Sequence, residues 1–153
     1  KDPTTVKTFA KRWLTDIVEK SNRDPRNITR VIEKDIIPII GKLELEELTT
    51  AHIQVVLDRI KQLRELMQTT KHRLRKELPK LYSQELLNNL FRYPYTKIEF
   101  VENDLGVSRI TAAKHLDALV AAGYVEKKKI GRTNFYINRP LFNLLTQISL
   151  NDE

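Results

Sequence analysis

The chain has 153 residues, of which 41% are apolar, so it is long enough for one ordinary domain or two small domains with packed cores. Its net charge is +7, and the lack of cysteine excludes a disulfide framework and a thiolate metal site. No apolar run approaches a membrane span, and the N-terminal KDPTTVKTF lacks an apolar signal core. We therefore expect a soluble cytoplasmic protein without a membrane partner. Because the chain begins with Lys1 rather than Met, we also expect a processed or excised fragment.

The positive charge is concentrated in one short segment. Residues 1–58 hold 10 basic and 10 acidic side chains, residues 59–80 hold 8 and 2, and residues 81–153 hold 9 and 8. Clustered basic residues attract polyanions whatever their sequence. The segment 59–80 is therefore predicted to attract nucleic acid, and its candidate cations are Arg64, Lys71, Arg73, Arg75 and Lys76.

Residues 1–58 are predicted to form a helical module. Phe9, Trp13 and Ile17 recur at four-residue steps, with Leu14 and Val18 beside them, which predicts a helix that buries this face. Turn formers follow in SNRDPRN. A second apolar stripe is then predicted to form a helix that ends at Pro38 and Gly41; its members are Ile28, Val31, Ile32 and Ile36.

A third helix begins after Thr49 or Thr50, either of which can cap it. Its apolar spacing continues until Pro79, which predicts a helix over residues 51–78 of roughly 42 Å at 1.5 Å per residue. Three interpretations remain open: a basic connecting helix over 59–80, a coiled-coil seam of a homodimer, or two helices broken near Thr69 and Thr70. The predicted buried face near its start is Ile53, Val56, Leu57 and Ile60.

Residues 81–153 have the order of a winged helix: helix, helix, turn, helix and β-hairpin. Capping residues are predicted at Ser83, at Thr96 with Glu99 in capping-box spacing, and at Ser108. The glycines at 106 and 123 permit the turn and the helix end, and alternating apolar residues on either side of Gly131-Arg132 predict the hairpin. The expected fold class is mainly α, with a small hairpin at the C-terminal end.

The stretch GVSRITAAKHLDALVAAG resembles a helix that lies in the major groove of DNA. Its predicted DNA contacts are Ser108, Arg109, Thr111 and Lys114. On the hairpin, we expect phosphate contacts from Lys127, Lys128, Lys129 and Arg132. Alternatively, these lysines only protect an exposed edge strand. Residues 96–123 carry a net charge of −1, which opposes strong binding of DNA by this helix alone.

The segment from about 59 to 148 resembles the C-terminal region of Fic-family proteins. The resemblance is carried by the stretch KLYSQELLNNLFRYPYTKIEFVENDLGVSRITAAKHLDALVAAGYVEKKKIGRTNFYIN. In that family, a winged helix follows a catalytic Fic domain that transfers AMP or a related group to a protein hydroxyl. That activity depends on a His-Pro-Phe motif, and no His-Pro pair exists here. The resemblance implies the accessory domain alone, with a Fic catalytic domain as an alternative partner.

The segment from about 8 to 60 is similar to part of the core-binding domain of phage-type tyrosine recombinases. The similarity is carried by TFAKRWLTDIV and ITRVIEKDIIPIIGKLELEELTTAHIQVVLDRI. In that family, this integrase-like domain clamps duplex DNA during DNA recombination, while a separate domain cleaves the DNA. The catalytic residues of that separate domain are missing here. A natural fusion, a recombined gene and an engineered chimera each account for the two resemblances.

No constellation for catalysis, metal binding or cofactor binding stands out. The glycines are too scattered for a phosphate-binding loop, and the three histidines, His52, His72 and His115, lack acidic neighbours at metal-ligand spacing. We therefore expect no enzyme, no metal site and no cofactor. The first hypothesis is a protein that binds double-stranded DNA. The second is a regulatory or interaction module that dimerises through residues 51–78 or docks on a Fic catalytic domain.

Overall fold

The computed structural model of the protein describes residues 4–21 and 25–146, apart from the side chains of Ser21 and Asn27. The chain divides into two compact units, Lys1–Gln62 and Leu63–Glu153. As predicted, the fold is mainly α-helical with one small antiparallel sheet. The predicted turn SNRDPRN lies partly outside the described residues.

The first unit consists of short helical segments followed by the start of a long helix. In chain order they are α1 (Val6–Trp13), a π-helical segment (Leu14–Val18), α2 (Glu19–Ser21), α3 (Arg26–Val31), a second π-helical segment (Ile32–Ile36), α4 (Ile37–Ile40), a 3₁₀ turn (Leu45–Glu47) and α5 (Thr50–Glu77).

The core of the first unit buries only one side of the apolar face that the sequence predicted. Leu14, Val18 and Ile32 are buried together, whereas Phe9, Trp13 and Ile17 are 41%, 38% and 51% exposed. The rows through Leu14 and through Trp13 are both apolar and both have four-residue spacing, so periodicity does not choose between them. The short helices of this unit cover only the row through Leu14, and the predicted core role of Trp13 is wrong.

The second predicted stripe is interrupted by the π-helical segment Ile32–Ile36. Pro38 was predicted to end a helix, and this is wrong. It lies in the first turn of α4, where the missing N–H of proline is tolerated. Gly41 follows as the C-terminal cap. The fixed φ of proline is compatible with this helical position.

Helix α5 is continuous, which rules out the break predicted as an alternative near Thr69 and Thr70. The Thr70 hydroxyl donates to the Leu66 carbonyl at 2.8 Å, so this threonine is accommodated within the helix. Near the start of α5, Val56 is buried, but Ile53 and Leu57 are 48% and 54% exposed, contrary to the predicted buried face. The core of the first unit reaches only one row of this helix.

The second unit begins within α5 and continues as a helical domain that contains the small antiparallel sheet. Its further elements are α6 (Gln84–Arg92), β1 (Tyr95–Thr96), α7 (Ile98–Leu105), α8 (Arg109–Ala121), β2 (Glu126–Ile130), β3 (Thr133–Ile137) and α9 (Arg139–Thr146). The strands lie in the order β1-β3-β2, with both pairs antiparallel.

Local capping explains where the helices of the second unit begin and end. The hydroxyl of Ser83 accepts the Leu86 N–H at 3.1 Å, as predicted. Gly106 ends α7 with φ of +64°. After α8, the Gly123 N–H donates to Val120 and the Tyr124 N–H to Leu119, which is the Schellman arrangement. Positive φ at both glycines accounts for their positions.

Thr96 does not cap α7, contrary to the capping-box prediction. It pairs with Tyr136 in the sheet, is 2% exposed, and donates its hydroxyl to the Asn89 side-chain oxygen at 2.7 Å. The Asn89 amide in turn donates to Asp104 at 2.6 Å. Because buried polar atoms need partners, this chain of bonds holds Thr96 in the sheet, and Lys97 occupies the cap position.

The end of α5 is fixed to the rest of the second unit by a polar cluster. The Tyr124 hydroxyl donates to the Glu77 carboxylate at 2.6 Å, and the Arg73 guanidinium lies 3.3 Å from that carboxylate and 4.7 Å from the centre of the Tyr124 ring. Burial and the bond to Glu77 raise the pKa of Tyr124 to about 12. The bond from Tyr124 lowers the pKa of Glu77 below its ordinary value.

We predict that Tyr124→Phe lowers the free energy of unfolding by about 1 kcal/mol, because it removes a hydrogen bond to a carboxylate. Urea denaturation measures the loss. Tyr82→Phe is the matched control, since the Tyr82 hydroxyl makes only an exposed 3.2 Å bond to Gln84.

The effect of Tyr124→Phe also depends on pH. Because the folded-state pKa of Glu77 is lowered, its stabilising contribution is complete above the unfolded-state pKa and is lost as pH falls through the folded-state value. The difference between the parent and Tyr124→Phe should therefore shrink in acid. A difference that grows as pH falls would contradict this assignment.

We predict that Leu14→Ala destabilises the first unit by about 2–5 kcal/mol, the usual cost of a buried leucine. Leu14 is 5% exposed, whereas Trp13 is 38% exposed, so Trp13→Ala should cost less despite the larger side chain. Thermal or urea denaturation of the two variants provides the comparison. A larger loss for Trp13→Ala would restore the predicted core face.

Candidate nucleic-acid interface

The start of α8 is organised by a cap that occupies two of the predicted DNA contacts. The Ser108 hydroxyl accepts the Thr111 N–H at 3.3 Å, and the two hydroxyls lie 3.0 Å apart in a hydrogen bond. Both side chains therefore stabilise the helix start. This leaves Arg109 and Lys114, both exposed, as the predicted contacts on α8 without a capping role.

The outward face of α8 is centred on a residue that the sequence prediction missed. Ala112, Leu116 and Leu119 are fully buried. At about 100° per residue, Ile110 and Lys114 lie on the opposite side of the helix. Ile110 is 70% exposed. A helical projection that starts from the apolar row of Ala112, Leu116 and Leu119 places Ile110 on the opposite side, which is the signal in the sequence for this residue.

Helix α8 and the hairpin are joined by an ion pair. Lys127 Nζ lies 2.9 Å from the Asp117 carboxylate and 5.5 Å from the centre of the Tyr136 ring. The Asp117 carboxylate raises the pKa of Lys127 above its ordinary value. Lys127 therefore positions the hairpin against α8 and offsets the negative charge of Asp117.

The register of the hairpin separates its three lysines. Directly opposed residues share a face, and successive residues alternate between faces. Lys127 is opposite Tyr136 and Lys129 is opposite Asn134, whereas Lys128 is opposite Phe135. Lys129 therefore shares the α8-facing side with Lys127, and Lys128 lies on the other face of the sheet.

The tip of the hairpin presents Arg132 in a two-residue turn. Ile130 pairs with Thr133, so Gly131 and Arg132 are the only residues between the strands. Gly131 has φ of +59°, while Arg132 has no positive φ. Of the two tight hairpin turns, only type II′ has positive φ at the first central position alone. Arg132 is exposed at this turn.

The acidic balance of residues 96–123 is offset by cations from outside that segment. Asp104 makes a 2.9 Å ion pair with Arg92, and Asp117 makes its pair with Lys127. Two of the four acidic side chains thus have basic partners. The face of α8 is consequently less unfavourable to a polyanion than the net charge of −1 indicated.

The five basic residues of α5 that were predicted to attract nucleic acid do not lie on one face of the helix. Arg73 is engaged with Glu77 and Tyr124, and the Arg75 guanidinium lies 4.8 Å from the centre of the Tyr82 ring. At about 100° per residue, three of the five share one row of the helix and Arg73 lies roughly opposite. The row consists of Arg64, Lys71 and Arg75, while Lys76 lies between the two sides and is exposed.

The described residues contain no group of His, Asp or Glu that could hold a metal ion. None of the helices in the described part of the chain is both long and apolar enough to cross a membrane.

We predict that Asp117→Asn lowers the pKa of Lys127, because the Asp117 carboxylate stabilises the charged form of Lys127. NMR of isotopically labelled lysine side chains as a function of pH measures the pKa of Lys127 in the parent and in the variant. An unchanged pKa of Lys127 in Asp117→Asn would contradict the ion pair.

Two family models match the chain. Residues 66–141 match the model of the C-terminal domain of SoFic-like protein adenylyltransferases, and residues 5–60 match the N-terminal SAM-like domain of phage integrases. These matches confirm the two resemblances and their order. Each model describes one terminal domain, and neither match covers a full catalytic domain. The chain is therefore similar to a phage-integrase SAM-like domain over its first part and to a Fic-family C-terminal domain over its second.

Proposed function

We propose that the protein binds duplex DNA without catalysing a reaction, using the second unit as a winged helix-turn-helix. The observation that carries this proposal is the ion pair between Asp117 and Lys127. It joins α8 to the hairpin, offsets an acidic charge on the outward face of α8, and leaves Lys129 on the same side. A helix and an adjoining basic hairpin are the two elements with which winged helices hold DNA.

Within this proposal, the exposed cations have separate roles. Arg109 and Lys114 approach base edges in the major groove, where guanine presents two acceptors. Lys129 and Arg132 contact phosphates, which fix the position of the protein on the duplex. Lys127 acts by positioning the hairpin, and Lys128 faces away from α8.

The first unit and the basic row of α5 supply further attraction in this proposal. The match of the first unit to an integrase SAM-like domain supports a second, recombinase-like contact with duplex DNA. The row of Arg64, Lys71 and Arg75 contributes sequence-independent attraction by displacing counterions from the phosphates.

A second candidate is a regulatory or protein-interaction module of a Fic-type protein-modifying enzyme. The exposed apolar row of Phe9, Trp13 and Ile17 favours docking on a protein. A homodimer seam along α5 has less support, because Leu74 is buried and Met67 packs against the core of the second unit.

We predict that affinity for mixed-sequence duplex DNA falls steeply with salt. Lys129→Ala and Arg132→Ala should each reduce the slope of log K against log salt concentration by about 1, because each removes one phosphate contact. Fluorescence anisotropy with a labelled duplex measures the slope. Lys128→Ala is the matched control and should leave the slope unchanged, since Lys128 lies on the other face of the hairpin.

Two results would count against the proposal. Absence of binding at low salt would exclude DNA as the ligand and leave the protein-interaction module as the stronger candidate. Equal losses for the Lys128 and Lys129 variants would show that the hairpin attracts DNA only through its total charge, without the orientation proposed here.

A further inference from the structure

We infer that Ile110 reads a thymine in the major groove by contacting its 5-methyl group; this inference rests on the proposed binding of DNA. Thymine alone among the four bases presents a methyl group there, and apolar side chains recognise it by contact. The proposal adds an apolar specificity contact to the cations already assigned to α8.

The exposure of Ile110 sets it apart from the other large apolar residues in the described part of the chain. It is 70% exposed, whereas the next highest value is 55%, at Ile130. Single exposed apolar residues are common and need no function by themselves. The position of Ile110 is what gives its exposure meaning.

Ile110 is the second residue of α8 and lies at the centre of the outward face. Lys114 is one turn further along, and Asp117, on the same row, is paired with Lys127. The N-terminal residues of the second helix in a helix-turn-helix are those that approach base edges. Ile110 is thus placed between Arg109 and Lys114, where a base would face the helix.

The fold does not account for an isoleucine at this position. Its side chain adds little to the core, and a β-branched residue has lower helix propensity than alanine. For recognition, the same branching is favourable because it leaves few rotamers to be lost on contact.

The surrounding charges favour DNA over an apolar protein surface. Arg109 and Lys114 are both exposed beside Ile110, and the Asp117 charge is offset by Lys127. Arginine is common in both kinds of interface, but lysine is depleted in protein–protein interfaces, so Lys114 favours DNA, whose phosphates suit both cations.

The test begins with selection of the preferred duplex from a random pool by the full chain. Each thymidine of the selected site is then replaced in turn by deoxyuridine, which lacks only the methyl group. We expect one replacement to weaken binding by the parent about fourfold, as estimated for one buried methyl group. Ile110→Ala should bind the thymidine and deoxyuridine duplexes equally well.

Ile130→Ala is the matched control. It also removes an exposed isoleucine, but on the hairpin face shared with Lys128, so the difference between the thymidine and deoxyuridine duplexes should remain. Circular dichroism melts of both variants establish that they retain the fold.

The possible outcomes separate this inference from the proposed function. If the parent binds no duplex, both fail, and a protein partner becomes the alternative for Ile110. If the parent binds DNA but selects no site, or no deoxyuridine replacement weakens it, only the thymine contact is overturned. It is equally overturned if Ile110→Ala retains the deoxyuridine effect.

Discussion

The second unit depends on the burial of the last turns of α5. Leu74 is fully buried in its core, and the Tyr124 hydroxyl bonds to Glu77 one turn further along. The long helix is therefore both the end of the first unit and a structural part of the second. Leu74 precedes the segment 81–153 that was predicted to form the winged helix, so the core of the second unit includes part of the predicted connecting helix.

Features set by nearby residues could be predicted from the sequence. The caps at Ser83 and Ser108 and the positive φ at Gly106 require only a few neighbours along the chain. Which face of a helix or strand is buried could not be predicted, because it depends on residues that are distant along the chain. Trp13 is exposed since the helices of its unit cover the adjacent row, and Thr96 is buried by pairing with β3.

In the candidate site, too, features set by nearby residues could be predicted and features set by distant residues could not. Arg109 and Lys114 follow from the helix-turn-helix pattern, and both are exposed on α8. The role of Lys127 could not be seen in a run of three lysines, because its partner Asp117 is ten positions earlier and belongs to another element. Ile110 could not be predicted in the same way, because most contacts to DNA are made by charged and polar side chains and its own chemistry is that of a core residue.

The strand EKKKI contains three identical side chains in its centre, so its own chemistry does not specify its register. The neighbouring strand specifies it, because Tyr136 is almost fully buried and brings Lys127 to Asp117. A change of one residue in the length of the turn would shift the alignment and exchange the environments of adjacent lysines. Insertion of a neutral residue would leave the charge of the hairpin unaltered, yet a different lysine would face α8. The length of this turn is thus a site at which evolution or design could redirect the hairpin's cations without replacing any of them.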